Sequence, residues 1–157
     1  MEETNRRERV LFVCTHNSAR SQMAEGMLRG LYGDRFEAYS AGTKPTSVDP
    51  RAVSVMSEIG FDISGSWSKS VSEFLGMDID YVITLCDDAQ ETCPFFPGAK
   101  EYLHRRFINP VDISEPGEAI AAFRQVRDDL KDWIIEIFGQ LKKERRSGRV
   151  GLELEPR

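Results

Sequence analysis

The order of patterned segments predicts an α/β domain with a four-stranded, mostly parallel sheet flanked by helices on both faces. Three observations carry that expectation. Short apolar runs recur at residues 9–14 (RVLFVC), 36–41 (FEAYSA) and 80–85 (DYVITL). Stretches with helical character separate them, so the strands pair in parallel through right-handed connections. One long amphipathic stretch then closes the chain.

Each element has a local reason. Residues 9–14 read as a buried strand ending at Cys14. Residues 18–32 place Met23, Met27, Leu28 and Leu31 on one helical face, with Gly33 as the stop. Residues 36–41 form a second strand, ended by Gly42 and by Pro45 and Pro50. Asp49 caps a helix that has Pro50 at its first position and runs to about Ile59. Residues 61–75 are less regular, with room for a short helix at 68–73. Val, Ile, Thr and Tyr make residues 80–85 a third strand. The segment CDDAQETCPFFPG is a loop with room for one helical turn, and a weaker fourth strand falls at 100–105. Ala119, Phe123, Val126, Leu130, Ile134, Ile137 and Leu141 mark one face of a last helix over 117–144. Residues 1–144 are expected as a single catalytic domain and residues 145–157 as a flexible tail.

Composition narrows the function classes. A chain of 157 residues that is 40% hydrophobic is long enough to bury one core. Its net charge of -5 argues against a general affinity for nucleic acid or an anionic membrane. The cluster Lys142, Lys143, Arg145 and Arg146 reads as a solvated helix end. No apolar run approaches the roughly 20 residues that span a bilayer, and MEETNRRERV lacks the apolar centre of a signal peptide. A cytoplasmic monomer is expected. Three cysteines are then buried filler or chemistry, not a disulfide framework.

Cys14 and Cys86 fall at the carboxyl ends of strands, where parallel sheets bind ligands. Between Cys14 and Arg20, the residues Thr15, His16, Asn17, Ser18 and Ala19 can wrap so that backbone N–H groups converge on a tetrahedral anion. Arg20 supplies a planar charged fork for two anion oxygens. The same dipoles would stabilise a nucleophilic Cys14 thiolate, with Ser21 or Ser18 donating a hydrogen bond to the sulfur. The blander alternative is a buried strand cysteine and a surface helix arginine. His16 contributes backbone more than ring, Asn17 suits a left-handed turn, and Glu25 braces the loop as readily as it does chemistry. Cys86 and Cys93 are too far apart for a C-x-x-C pair and lack neighbouring ligands, so no metal is expected. Cys86 also fits a core position, whereas Cys93 lies in an irregular segment rich in Pro and Gly.

CTHNSARSQMAEG, with SAGT after the second strand and VITLCDDAQETCP in and after the third, resembles the arsenate reductases built on the low-molecular-weight protein tyrosine phosphatase fold. The resemblance covers about residues 9–140. It implies that Cys14 attacks arsenate, that Cys86 attacks the Cys14 sulfur with release of arsenite, and that Cys93 then attacks Cys86. Thioredoxin, or alternatively glutaredoxin, would reduce the final disulfide, with no bound cofactor. Residues 86–98 are expected to change conformation with redox state, because thiol exchange needs sulfur-to-sulfur access.

Two departures stand out. Family members usually carry an acidic Asp before Pro after the fourth strand; here Asn109 precedes Pro110, and an amide has no proton to give at pH 7. Asp112 is the candidate replacement, although a cap or turn role fits it as well. Some relatives bind a monovalent cation through oxygens matching Asn17, Glu25 and Ser40 plus an acidic residue whose place here is taken by Lys69. An ammonium there would pair with Glu25 in place of the ion. A tyrosine phosphatase is the first alternative, weakened by Ala19 where those enzymes usually have a second loop cysteine, by Asn109, and by the idle Cys86 and Cys93. Weak phosphatase side activity is compatible with the loop. A non-catalytic anion-binding or redox-sensing module is the second alternative.

Overall fold

The structure, a computed structural model, describes residues 6–87 and 96–146. Its order is β1 (Glu8–Cys14), α1 (Arg20–Tyr32), β2 (Phe36–Gly42), α2 (Pro50–Glu58), a 3₁₀ turn (Val71–Phe74), β3 (Tyr81–Thr84), β4 (Glu101–His104), a second 3₁₀ turn (Pro110–Asp112) and α3 (Pro116–Arg146). All four strands pair in parallel, in the order β2-β1-β3-β4. Every strand therefore ends at the same edge of the sheet, and that edge carries both Cys14 and the residues just past β3.

The alternation of side chains along β1 divides the core into two layers. Val10 and Phe12 join Phe36, Ala38, Tyr81 and Ile83 under α1, α2 and α3. Leu11 and Val13 join Ala41, Val82, Phe74 and Phe96 on the other face, which the 3₁₀ turn at Val71–Phe74 covers. Helix thus lies on both faces, but unequally. Because both faces of β1 are covered, residues 10–14 are buried without a break, which is why this strand reads as a continuous apolar run. Phe138 of α3 closes the larger layer, with its ring 5.0 Å from that of Phe36 and edge-on to it.

Caps set the boundaries. Asp49 accepts from the Arg51 N–H at 2.9 Å, with Pro50 at the first position of α2, as expected. The hydrogen bond from the Arg51 guanidinium also holds the Asp49 carboxyl below its ordinary range. Helix α1 starts at Arg20, two residues later than its apolar spacing suggests, and Ala19 at its N-cap offers no side-chain cap. The delay keeps residues 15–19 free to form a loop. The short helix expected at 68–73 is instead a 3₁₀ turn over Val71–Phe74, opened by a capping box between Ser70 and Glu73. Helix α3 continues two residues beyond the expected end, to Arg146; residues 147–157 lie outside the described residues.

Helix α2 is stapled to α3 by charge. Arg127 donates to Val55 O at 3.0 Å and to Glu58 at 2.7 Å, and Arg124 lies 2.7 Å from the same carboxylate. Hydrogen bonds from Arg124 and Arg127 pull the Glu58 carboxyl down to about 2. The staple holds the C-terminal half of α2, and the capping residue at its other end, Asp49, touches the loop after β1.

Candidate active site

The loop after β1 is held from outside by its carbonyl groups. Lys44 N–H donates to Thr15 O at 2.9 Å, Thr46 N–H to His16 O at 3.2 Å and Asp49 N–H to Ser18 O at 2.9 Å. Asn17 O accepts from Ser68 Oγ at 2.7 Å. No described peptide bond is cis, and in a planar trans peptide the N–H points opposite to the preceding C=O. Anchoring these four carbonyls therefore turns the N–H groups of His16, Asn17, Ser18 and Ala19 away from the anchoring segments, toward the inside of the loop. That is the geometry of an anion nest. The reversal is made at Asn17, the one described non-glycine residue with positive φ, at 53°.

The Asn17 amide has one orientation. Lys69 N–H, which can only donate, reaches Asn17 Oδ1 at 2.9 Å, so Nδ2 is the atom that donates to Ser21 Oγ at 2.8 Å. With Nδ2 donating to it, the Ser21 hydroxyl has its own hydrogen available to donate to Cys14 Sγ, 2.9 Å away. Cys14 and Ser21 are both buried, and Cys14 is a free thiol. Of the two serines suggested by sequence, the structure brings Ser21 to the sulfur. His16 is exposed, so its contribution is its backbone.

Arg20 opens α1 and is 2% exposed. Its Nη1 donates to Phe107 O at 3.1 Å and lies 3.4 Å from Leu85 O. Leu85 N–H in turn donates to Val13 O, and Phe107 N–H to Leu85 O. The ends of β1 and β3 and the segment after β4 thus meet around this guanidinium. Cys86 follows directly, fully buried and disulfide-bonded. Cys93 lies outside the described residues, as does most of the 86–98 segment expected to respond to redox state.

Beyond Asn17 lies a buried charge cluster. Glu25 accepts from the Ser40 hydroxyl, pairs with Arg29 and lies 3.6 Å from Lys69 Nζ, the pairing expected from sequence. Lys69 Nζ also donates to Trp67 O at 2.7 Å. Burial pushes the Lys69 ammonium below its ordinary range, and Glu25 partly offsets this. Asn109 uses its side-chain oxygen to cap the 3₁₀ turn through Val111 N–H. Asp112 closes that turn with an exposed carboxylate, and no hydrogen bond or ion pair joins it to the loop. Among the described residues no group of three or more His, Cys, Asp or Glu is placed to hold a metal ion.

Sequence reasoning passed over the outer clamp. Ser68, Gln22 and the backbone of residues 44–49 all grip the loop, yet none bears a recognisable motif. The nearest signal was Gly42. A Cβ there would stand 2.5 Å from Thr15 O and 2.9 Å from Asn17 N, so only glycine lets the end of β2 pass under the loop.

The parallel sheet and the loop at the end of β1 define a phosphatase-like domain. Residues 9–147 match the family described as low molecular weight phosphotyrosine protein phosphatase, and the chain belongs to that family. Within it the relatives are more particular. The chain is 43% identical over 122 residues to an arsenate reductase of Halalkalibacterium halodurans, covering 77% of this chain and 88% of that one. Among solved structures it is similar to an arsenate reductase in the phosphate binding state, with a TM-score of 0.70 and 31% identity over 85% of this chain and 98% of the other. A thioredoxin-dependent arsenate reductase of Corynebacterium glutamicum gives a TM-score of 0.68 at 27% identity, covering 88% of this chain and 63% of that one.

Substituting Gly42→Ala is expected to lower stability by about 1 to 3 kcal/mol through overpacking against rigid backbone. It should also slow alkylation of Cys14 at neutral pH. Urea melts and iodoacetamide kinetics test this, and a variant with unchanged melting and thiol reactivity contradicts the close approach.

Proposed function

We propose that this protein is an arsenate reductase acting through a three-thiol relay. The observation that carries the reading is the pairing of a free Cys14, hydrogen-bonded within an anion nest, with a disulfide-bonded Cys86 at the end of the adjacent strand. Arsenate enters the ring of N–H groups from residues 15–19 beside Arg20. The Cys14 thiolate forms a bond to arsenic and a hydroxyl leaves as water. Cys86 then attacks the Cys14 sulfur; the S–As electron pair stays on arsenic, arsenate becomes arsenite, and Cys14 and Cys86 are joined. Cys93 attacks Cys86, Cys14 is released, and the dithiol of thioredoxin reduces the remaining disulfide.

Register supports the second step. Val13 is paired with Thr84 and Leu85 N–H donates to Val13 O, so Cys86, two residues past the end of β3, leaves the sheet beside Cys14. Parallel strands lie about 4.8 Å apart with a rise of about 3.3 Å per residue, which sets the two backbones at about the Cα separation of a disulfide, and the Cys86 sulfur reaches Cys14 once the chain past β3 turns it to that face. A free Cys14 beside a bonded Cys86 also matches the state reached after the third thiol has acted. The relay needs a pool of reduced thioredoxin, which fits a cytoplasmic enzyme. Among the described residues no helix is long and apolar enough to cross a membrane.

Asp112 is proposed to protonate the leaving oxygen, since Asn109 is committed to its cap. Lys69 is proposed to occupy the place of a monovalent cation, since its ammonium already faces Glu25.

Three outcomes are expected. Arsenite forms from arsenate with thioredoxin and its reductase, and Cys86→Ser abolishes this by a factor of at least 100 while sparing any phosphatase activity. Arsenite release that persists in Cys86→Ser sinks the relay, turnover with glutaredoxin alone would change the reductant, and no turnover at all would favour a sensor. For Asp112→Ala a fall in kcat of about tenfold or more is expected from the usual contribution of a general acid; unchanged turnover assigns Asp112 to the turn alone. Replacing sodium by potassium chloride at constant ionic strength should leave kcat and KM for arsenate unaltered, and strong stimulation would show that Lys69 does not fill the cation's place.

A further inference from the structure

Gln22 is 1% exposed in the first turn of α1, next to the loop. Its Nε2 lies 2.9 Å from Asn17 Oδ1, 3.1 Å from Asn17 O and 2.9 Å from Trp67 O. All three partners are acceptors, because Lys69 N–H fixes which atom of the Asn17 amide is oxygen. Turning the Gln22 amide over would set its oxygen against three other oxygens. The orientation is therefore locked, and it leaves Gln22 Oε1 buried without a hydrogen-bond partner among the described residues.

A buried amide oxygen left unpaired destabilises the fold, and such a group in a native protein calls for an explanation. Satisfying the acceptors does not supply one. Asn17 O already accepts from Ser68 Oγ, Asn17 Oδ1 from Lys69 N–H, and Trp67 O from Lys69 Nζ. An apolar side chain of the same length would orphan none of these oxygens and would remove the unpaired Oε1. What Gln22 adds is position: one nitrogen spans the backbone and side-chain oxygens of the left-handed residue and ties both to the segment at 67–69.

We infer that Gln22 is a positioning residue for Cys14: it holds Asn17 so that Nδ2 meets Ser21 Oγ and the Ser21 hydrogen is delivered to the Cys14 sulfur. The chain of contacts runs from Gln22 to Asn17 to Ser21 to Cys14, at 2.9, 2.8 and 2.9 Å. Gln22 touches neither the sulfur nor the anion in this arrangement. Its consequence for turnover rests on the reductase reading, whereas its effect on the thiol does not.

The test uses the full chain with Cys86→Ser and Cys93→Ser, so that Cys14 is the sole thiol, and compares Gln22 with Gln22→Met and Gln22→Glu. Iodoacetamide alkylation is followed against pH alongside thermal melting. Gln22→Met should melt at the same temperature or higher, yet its alkylation midpoint should rise by about half a pH unit or more, with the rate at pH 7 falling about threefold. Gln22→Glu, unable to donate, should shift the midpoint in the same direction. In the otherwise wild-type chain Gln22→Met should lower kcat for arsenite formation more than it raises KM. An unmoved alkylation profile in both variants overturns the inference, and so does a Gln22→Met protein that no longer melts cooperatively, since Gln22 would then be a structural residue. A wild-type chain that makes no arsenite would sink the reductase reading while the alkylation comparison still decides the role of Gln22.

Discussion

The left-handed backbone of Asn17 is the constraint on which the site depends. The chain leaves β1 at Cys14 and enters α1 at Arg20, and within that span it must turn its carbonyls outward and its N–H groups inward. A residue at φ 53° makes this reversal, and asparagine adopts that region more readily than most residues that carry a Cβ. The side chain then serves a second purpose, because the same amide accepts from Lys69 N–H and donates to Ser21. Backbone reversal and the hydrogen bond that reaches the nucleophile are consequences of one residue.

Such a loop does not hold itself. Its carbonyls are gripped by residues 44–49 from the β2–α2 connection and by Ser68 from the segment before the 3₁₀ turn, and Gly42 N–H ties Lys69 O to the end of β2. These clamps stand on the packed core: the 3₁₀ turn is anchored by Phe74 in the smaller layer, and α2 is pinned to α3 by Arg124 and Arg127. Core packing far from the sulfur thus sets the geometry at the sulfur. The buried pair of Glu25 and Lys69 belongs to the same clamp, since burial disfavours the ammonium and the facing carboxylate partly offsets that cost.

Parallel strand order brings the exits of β1 and β3 together. With β1 beside β3, the residues that follow them emerge from one edge, and hydrogen bonds from Leu85 N–H to Val13 O and from Arg20 to Leu85 O knit the two exits together. In the proposed relay, Cys14 at the end of one strand and Cys86 just past the next need no large rearrangement of the sheet itself. Arg20 lies against the carbonyl of Leu85, the residue before Cys86, so the proposed capture of the anion and exchange of the thiol share one frame.

By itself the sequence determined the element order and the parallel character of the sheet, and it marked the stretch that forms the loop after β1, because period and turn residues are local properties of a chain. Cys14, Arg20, Asn17 and Ser21 were legible in one short stretch, and the pairing of Lys69 with Glu25 followed from a resemblance. The tertiary structure alone decided that α1 starts at Arg20, that Ser21 and not Ser18 reaches the sulfur, and that Gln22, Ser68 and the backbone of residues 44–49 hold the loop. Those contacts join residues up to about fifty positions apart through N–H and C=O groups that every residue carries. No residue type or spacing announces them, so only the folded arrangement of the chain can show them.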